Sequence, residues 1–279
     1  MIGSKISAQR IAILGAGSSA IGISNQLVAA MVEEGLTEQE ARSRIWLIDS
    51  HGLVHSGRPS LEPSKMKYAQ PLERRSGGTW DAGEQVTLMD VIKDARVTVL
   101  IGASAQPGAF TEGIVREMAA HVERPIIFPL SNPTSKSEAI PDDLIRWTEG
   151  RTLVATGSPF PDVVFKDKRV HIGQCNNSFI FPGVGLGVIS SGARRVTDRM
   201  FVAAARALSE FSPARLDADA PLYPALERIH DVSRRVALAV AMEAQSAGLA
   251  KEIPIEELEQ RIDGKMWVPH YPLYKRRAQ

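Results

Sequence analysis

A run of small residues, Gly15-Ala16-Gly17-Ser18-Ser19-Ala20, separates the apolar stretch Ile11 to Leu14 from a segment with helix-like apolar spacing between Ala20 and Val32. Few folds tolerate such a turn there. It matches G-x-G-x-x-A, and its setting between a predicted strand and a predicted helix distinguishes it from a chance match. In that setting Gly15 permits a tight bend, Gly17 lets the backbone approach a bound pyrophosphate, and Ala20 lets the helix lie close on the strand. The N–H groups of Ser18, Ser19 and Ala20, with the positive end of the helix dipole, would face the phosphates. The plainer alternative is that the small residues serve helix-to-sheet packing alone.

The segment after the turn fits a βαβ unit. Thr37 and Glu40 have capping-box spacing for a short second helix, and Ile45 to Ile48 is a further apolar run that ends at Asp49. Asp49 could accept hydrogen bonds from adenosine ribose hydroxyls, or it could be a strand-end turn residue. Its distance from Gly17 exceeds the usual spacing of about 20 residues, an excess the short helix accounts for. Lys65 and Lys67 lie in the next polar stretch, where a lysine could meet an adenosine 2′-phosphate or simply be solvated. That stretch, Ser50 to Gln85, is long and rich in Gly, Pro, Ser and Arg, so it is expected to be mobile or organised by a ligand.

Buried-type runs recur at Val97 to Ile101, Ile126 to Leu130 and Leu153 to Ala155. They alternate with helical patterns over Thr111 to His121 and Pro141 to Glu149. The alternation predicts an α/β fold: a doubly wound parallel sheet of the Rossmann type, with helices on both faces. From Pro182 the strand signal fades into helical patterns over Arg195 to Phe211, Leu226 to Ala247 and Ile255 to Asp263. The expected division is therefore a dinucleotide domain over residues 1–181 and a carboxyl-terminal helical extension over residues 182–279.

Composition narrows the class. The chain has 279 residues, 44% hydrophobic and 23% charged, with 33 Lys plus Arg against 32 Asp plus Glu. This balance suits a soluble globular protein and gives no footprint of a broad nucleic-acid surface. A single cysteine, Cys175, excludes an internal disulfide framework and suits a reducing compartment. No signal-peptide pattern and no stretch of about 18 apolar residues occurs. The expectation is a cytoplasmic protein, or one of an organellar matrix, with no membrane or nucleic-acid partner.

Three further segments fall where strand ends should meet a ligand. Gly102 to Gly108 is a loop of small residues that includes Ala103 and Ser104. Leu130-Ser131-Asn132-Pro133-Thr134 and Gly173-Gln174-Cys175-Asn176-Asn177 both carry asparagines. An asparagine side chain is donor and acceptor without charge, suited to orienting a carboxylate, a hydroxyl or a carboxamide. Asn-Pro and Asn-Asn also favour turns, so spacing alone leaves both readings open.

Taken in order, ILGAGSSAIGI, IWLIDSHGLV, LIGASAQPGAFT, RPIIFPLSNPT, TGSPF, GQCNNSFIFPGVGLG and the late LYPAL resemble the NAD(P)-binding carboxyl-terminal part of malic enzyme. The resemblance runs from about Gln9 to Tyr274. It implies oxidative decarboxylation of L-malate to pyruvate and CO2, with NAD or NADP as hydride acceptor and Mg2+ or Mn2+ in the complete enzyme. By the same resemblance, Gly15, Gly17, Ser18, Ser19 and Ala20 would cradle the pyrophosphate, and Asp49 with Ser50 the adenosine ribose. Ala103 and Ser104 would line the cofactor cleft. Asn132, Asn176 and Asn177 would contact malate and the nicotinamide end. NADP-preferring members resemble this chain at Asp49-Ser50 and around Lys65, Lys67 and Ala69, with Lys65 the candidate phosphate partner. Many of those members have lysine where His51 stands.

The family's general base, its enol-protonating tyrosine, a substrate arginine and its carboxylate metal ligands precede the glycine turn, and MIGSKISAQR supplies none of them. The resemblance thus implies a cofactor-binding portion with no catalytic residue and no metal ligand of its own. Its partners would be the missing amino-terminal domain and other copies in a homo-oligomer. Asp142-Asp143 reads as a helix start, not as a metal site. Two other readings compete: a stand-alone dinucleotide-binding or regulatory module, and a two-domain dehydrogenase acting on amino acids or folates. The GQCNN and FPG segments disfavour the latter.

Overall fold

A computed structural model describes residues 2–72, 85–217 and 219–267. The strands are β1 (Ile11–Leu14), β2 (Ile45–Asp49), β3 (Gly52–Leu53), β4 (Val99–Gly102), β5 (Ile126–Pro129), β6 (Leu153–Thr156), β7 (Val163–Phe165), β8 (Lys168–Val170) and β9 (Gly173–Gln174). The helices among and beyond them are α1 (Ser18–Glu33), α2 (Glu38–Arg42), α3 (Pro63–Met66), α4 (Leu88–Ala95), α5 (Glu112–His121), α6 (Pro141–Trp147), α7 (Phe181–Ser191), α8 (Asp198–Ser209), α9 (Ile229–Ser246) and α10 (Ile255–Asp263). Two compact units emerge: Met1–Asn177 with Ser209–Leu226, and Ser178–Leu208 with Glu227–Gln279.

Among the described residues, seven strands of the first unit form one sheet in the order β3-β2-β1-β4-β5-β6-β9. All neighbours pair parallel except β3, which turns back antiparallel on β2. The expected doubly wound sheet is present because its central strands carry apolar side chains on both faces. Ala12, Leu14, Trp46, Ile48 and Leu100 pack with α4, α5 and α6 on one face. Ile11, Ile13, Ile45, Leu47, Val99 and Ile101 pack with α1 and Ala41 of α2 on the other. Period-two alternation thus feeds two cores at once.

The helix starts follow local chemistry. Thr37 and Glu40 form the anticipated capping box at α2, and Thr87 with Asp90 forms a second one at α4. Asp142 and Asp143 occupy the first turn of α6 as expected. The polar stretch after Asp49 is organised by the protein itself as far as residue 72. Tyr68 is 1% exposed, and His55 bridges to Gln70. Residues 73–84 of that stretch lie outside the described residues.

The second unit is helical. Gly183 and Gly187 of α7 let its backbone meet α9 directly: a Cβ on Gly183 would come within 2.6 Å of Val236 Cβ, and one on Gly187 within 2.5 Å of the Ala237 carbonyl oxygen. Ala237, Leu238, Ala241, Leu258 and Ile262 then form the core shared by α9 and α10.

Candidate functional site

The chain runs from β1 outward to β2 and returns to β4 on the other side of β1, so the order in which strands are added reverses between β1 and β4 while the strands stay parallel. Parallel sheets bind ligands at the carboxyl ends of the strands flanking such a point. Gly15 sits there with φ 126°, and a Cβ on it would lie 2.5 Å from the Ala103 carbonyl oxygen. The first turn therefore rests directly on the β4 loop. Gly17 differs. Its φ of −81° suits any residue, and a Cβ on it would meet no protein atom within 4 Å. Gly17 caps α1 without a side-chain hydrogen bond, and Ser18 and Ser19 beside it are exposed. Ala20 is fully buried against the sheet. An accessible helix start with an open glycine in front of it fits a pyrophosphate.

At the end of β2, Asp49 is held by its neighbours. Arg58 donates from Nη1 to Oδ1 at 3.0 Å and from Nη2 to Oδ2 at 3.1 Å, and the His51 N–H donates to Oδ1 at 2.9 Å. Lys65 Nζ lies 3.6 Å from Oδ2 and 3.8 Å from Glu62. Burial by itself would raise the Asp49 carboxyl. The hydrogen bonds from Arg58 and His51 and the charges of Arg58 and Lys65 outweigh it and hold the group below its ordinary range. Ser50 is exposed and its hydroxyl lies 3.3 Å from His51 Nδ1. Lys67 turns away, donating to Asn25 Oδ1 at 2.9 Å.

The β4 and β5 loops meet over one buried side chain, Glu138, which is 0% exposed. Both polar groups of Ser104, its N–H and its hydroxyl, point inward to that carboxylate. At the end of β5, Asn132 Oδ1 accepts from the Ser158 hydroxyl, which comes from the loop after β6. That loop lies close on the β5 end, because a Cβ on Gly157 would collide with the Leu130 carbonyl.

Beyond β6, the Cys175 N–H bonds the Thr156 carbonyl at 2.8 Å, and Gln174 Nε2 donates to the Gly157 carbonyl at 3.1 Å. The Asn176 N–H turns back to the Gln174 carbonyl, and Asn177 comes next, exposed, at the start of a single helical turn. Cys175 Sγ lies 3.0 Å from the Tyr223 hydroxyl. Burial pushes the thiol up, the Tyr223 hydrogen bond offsetting only part, so Cys175 is a poor nucleophile.

All the residues singled out from sequence thus belong to the carboxyl-edge loops of the first unit or to the segment after β2. Ser158 and Tyr223 lie within the TGSPF and LYPAL motifs but have no role assigned from sequence, and Arg58 and Glu138 belong to none of the quoted motifs. Arg58 could have been found by asking what neutralises a half-buried aspartate nine residues earlier. Glu138, on a coil between Asn132 and α6, carries no local signal.

The sheet, the switch point and the open glycine turn define a Rossmann-type dinucleotide-binding domain. The family model for malic enzyme, NAD binding domain, matches residues 1–245, and the chain belongs to that family. An NAD-dependent malic enzyme of Shewanella sediminis is 49% identical over 273 residues, which is 98% of this chain and 48% of that protein. One from Aeromonas hydrophila is 50% identical over 274 residues, with the same two shares, 98% and 48%. The chain therefore spans about half the length of the curated relatives it matches. The crystal structure of the Entamoeba histolytica malic enzyme matches 94% of this chain with a TM-score of 0.70 at 24% identity, covering 48% of that chain. A malic enzyme from Pyrococcus horikoshii matches 94% with a TM-score of 0.68, also at 24% identity, covering 54% of that chain. These two show the shared fold.

Among the described residues, no group of three or more His, Cys, Asp and Glu side chains is placed to hold a metal ion. No described helix is long and apolar enough to cross a membrane.

Proposed function

We propose that this chain forms the NAD site, and one side of the malate site, of an NAD-dependent malic enzyme that converts L-malate to pyruvate and CO2. The carrying observation is Gly17, where the protein leaves open the space that a side chain would fill. Gly15, Gly17, Ser18, Ser19 and Ala20 cradle the pyrophosphate through backbone N–H groups, and Ala103 and Ser104 wall the cleft on the β4 side. When bound, NAD+ accepts a hydride from the carbon that bears the substrate hydroxyl.

Asn132, Asn176 and Asn177 supply the uncharged polar contacts near the reacting end. Because the Asn132 carbonyl oxygen already accepts from Ser158, its NH2 group is left to donate, which suits a malate carboxylate. The general base and the ligands of Mg2+ or Mn2+ come, in this reading, from a complementary domain, against which the helical extension of residues 182–279 packs. The exposed Ile189 and Trp267 are apolar side chains such packing would cover. A homo-oligomer in the reducing cytoplasm is the proposed working form.

Relatives near 50% identity are named NAD-dependent, which favours NAD over NADP. Asp49 and Ser50 receive the adenosine ribose: Arg58 and His51 occupy part of the Asp49 carboxylate, which retains acceptor capacity for a hydroxyl. Lys65, already drawn to Asp49, is the candidate partner of a 2′-phosphate. Titration calorimetry with each dinucleotide tests the choice. NAD+ binds more tightly than NADP+, and Lys65→Ala weakens NADP+ more than NAD+. An NADP+ affinity unchanged by Lys65→Ala removes the phosphate role.

A further inference from the structure

A fully buried carboxylate needs donors, and Glu138 draws its donors from two ligand-side loops at once. Oε1 accepts from the Ser104 N–H at 2.9 Å, the Ser104 hydroxyl at 3.0 Å, the Ala105 N–H at 3.2 Å and the Ser131 hydroxyl at 2.5 Å. Oε2 accepts from the Ser131 N–H at 3.4 Å. Ser131 Oγ itself accepts from the Ala105 N–H at 2.9 Å, which closes the ring of contacts. The carboxylate lies against the end of β4, where a Cβ on Gly102 would collide with it. Ala105 stands at φ 55°, a left-handed conformation for which its two N–H contacts compensate.

We propose that Glu138 is a positioning residue. It fixes the Ala103–Ala105 loop, on the cofactor side, to the Ser131–Asn132 turn, on the substrate side, so that the two walls of the site keep one register. The proposal rests on the cofactor reading above for the meaning of those walls. A carboxylate suits this job because every contact it makes here is an accepted hydrogen bond. A glutamine would aim two N–H donors into a cluster of donors. Glu138 itself is fully enclosed, so its effect on a ligand passes through the loops.

The test compares the unsubstituted 279-residue chain with Glu138→Gln, using amide hydrogen exchange and titration calorimetry with NAD+ and ADP. ADP reports the glycine turn and Asp49 without reaching the nicotinamide end. In Glu138→Gln the Ser104 and Ala105 amides should exchange at least about tenfold faster, NAD+ affinity should fall about tenfold, and ADP affinity should stay within about twofold. Glu138→Asp keeps the charge on a shorter arm and should recover part of the NAD+ affinity. Faster exchange with NAD+ affinity unchanged overturns the positioning role, as does slow exchange retained in Glu138→Gln. If Glu138→Gln does not fold, Ser131→Ala takes its place. It should speed Ala105 exchange and weaken NAD+, and no change in either overturns the proposal. Failure of the unsubstituted chain to bind either nucleotide overturns the cofactor reading instead, while the exchange measurement still decides whether Glu138 holds the loops.

Discussion

A methyl group on Gly17 would touch no protein atom, whereas one on Gly15 would strike the Ala103 carbonyl oxygen at 2.5 Å. The two glycines of one motif therefore answer to different demands. Gly17→Ala should alter urea stability by no more than about 1 kcal/mol, the scale of an N-cap change, yet weaken NAD+ by tenfold or more, about 1.4 kcal/mol. Gly15→Ala should destabilise the fold itself, by roughly 1–2 kcal/mol for the left-handed backbone alone, and more once the collision is relieved by movement. Asp49 adds a pH signature. Its carboxyl sits below its ordinary value of 3.8 in the folded chain, so the folded state takes up a proton less readily than the unfolded one. Its stabilisation is complete above that value and fades as pH falls below it. The stability gap between the unsubstituted chain and Asp49→Asn, followed by urea melts from pH 6 downward, should shrink toward pH 3. A gap that widens there would contradict the Arg58 pairing. Gly15 was legible because the turn demands it, and Gly17, Ala20 and Asp49 because they stand at fixed places in a strand–turn–helix–strand pattern. Arg58 and Glu138 were not, because nothing local selects a long-range partner for a buried charge.

Helix α7 carries its own internal control. Gly183 and Gly187 face α9 at contact distance, while a Cβ on Gly185 would meet nothing within 4 Å. Gly185→Ala should stabilise the helical unit by about 1 kcal/mol, the difference in helix propensity. Gly187→Ala should destabilise it by roughly 1–3 kcal/mol through overpacking. Thermal melts of the two variants should move in opposite directions, and shifts of the same sign would contradict the close α7 to α9 contact. At this scale, strands such as β1 and β2 were legible from unbroken apolar runs. The glycine-rich FPGVGLG segment was noticed only as a family motif, since its glycines hide a helix whose cause lies in the partner helix. Helix α4 was missed although Thr87 and Asp90 spell a capping box, and the β7 to β8 hairpin was too short for alternation to register.

Across the whole molecule, the order of strands does what no single residue can. It returns β4 beside β1, so that loops far apart in sequence share one edge of the sheet. The ordered series of motifs made this architecture readable as a family resemblance, while the pairings across the edge, such as Asn132 with Ser158, required the folded chain. Apolar side chains left exposed on the helical unit, Ile189 at 66% and Trp267 at 72% among them, predict self-association that grows with concentration in light scattering. A clean monomer at all concentrations would count against a covered face. Whether the glycine turn is a dinucleotide site is decided by titration calorimetry of the 279-residue chain with NAD+, beside Gly17→Ala at matched stability. One NAD+ should bind per chain, with most of the affinity lost in Gly17→Ala. Absence of NAD+ binding by the unsubstituted chain, or equal binding by both, would contradict a dinucleotide site at that turn.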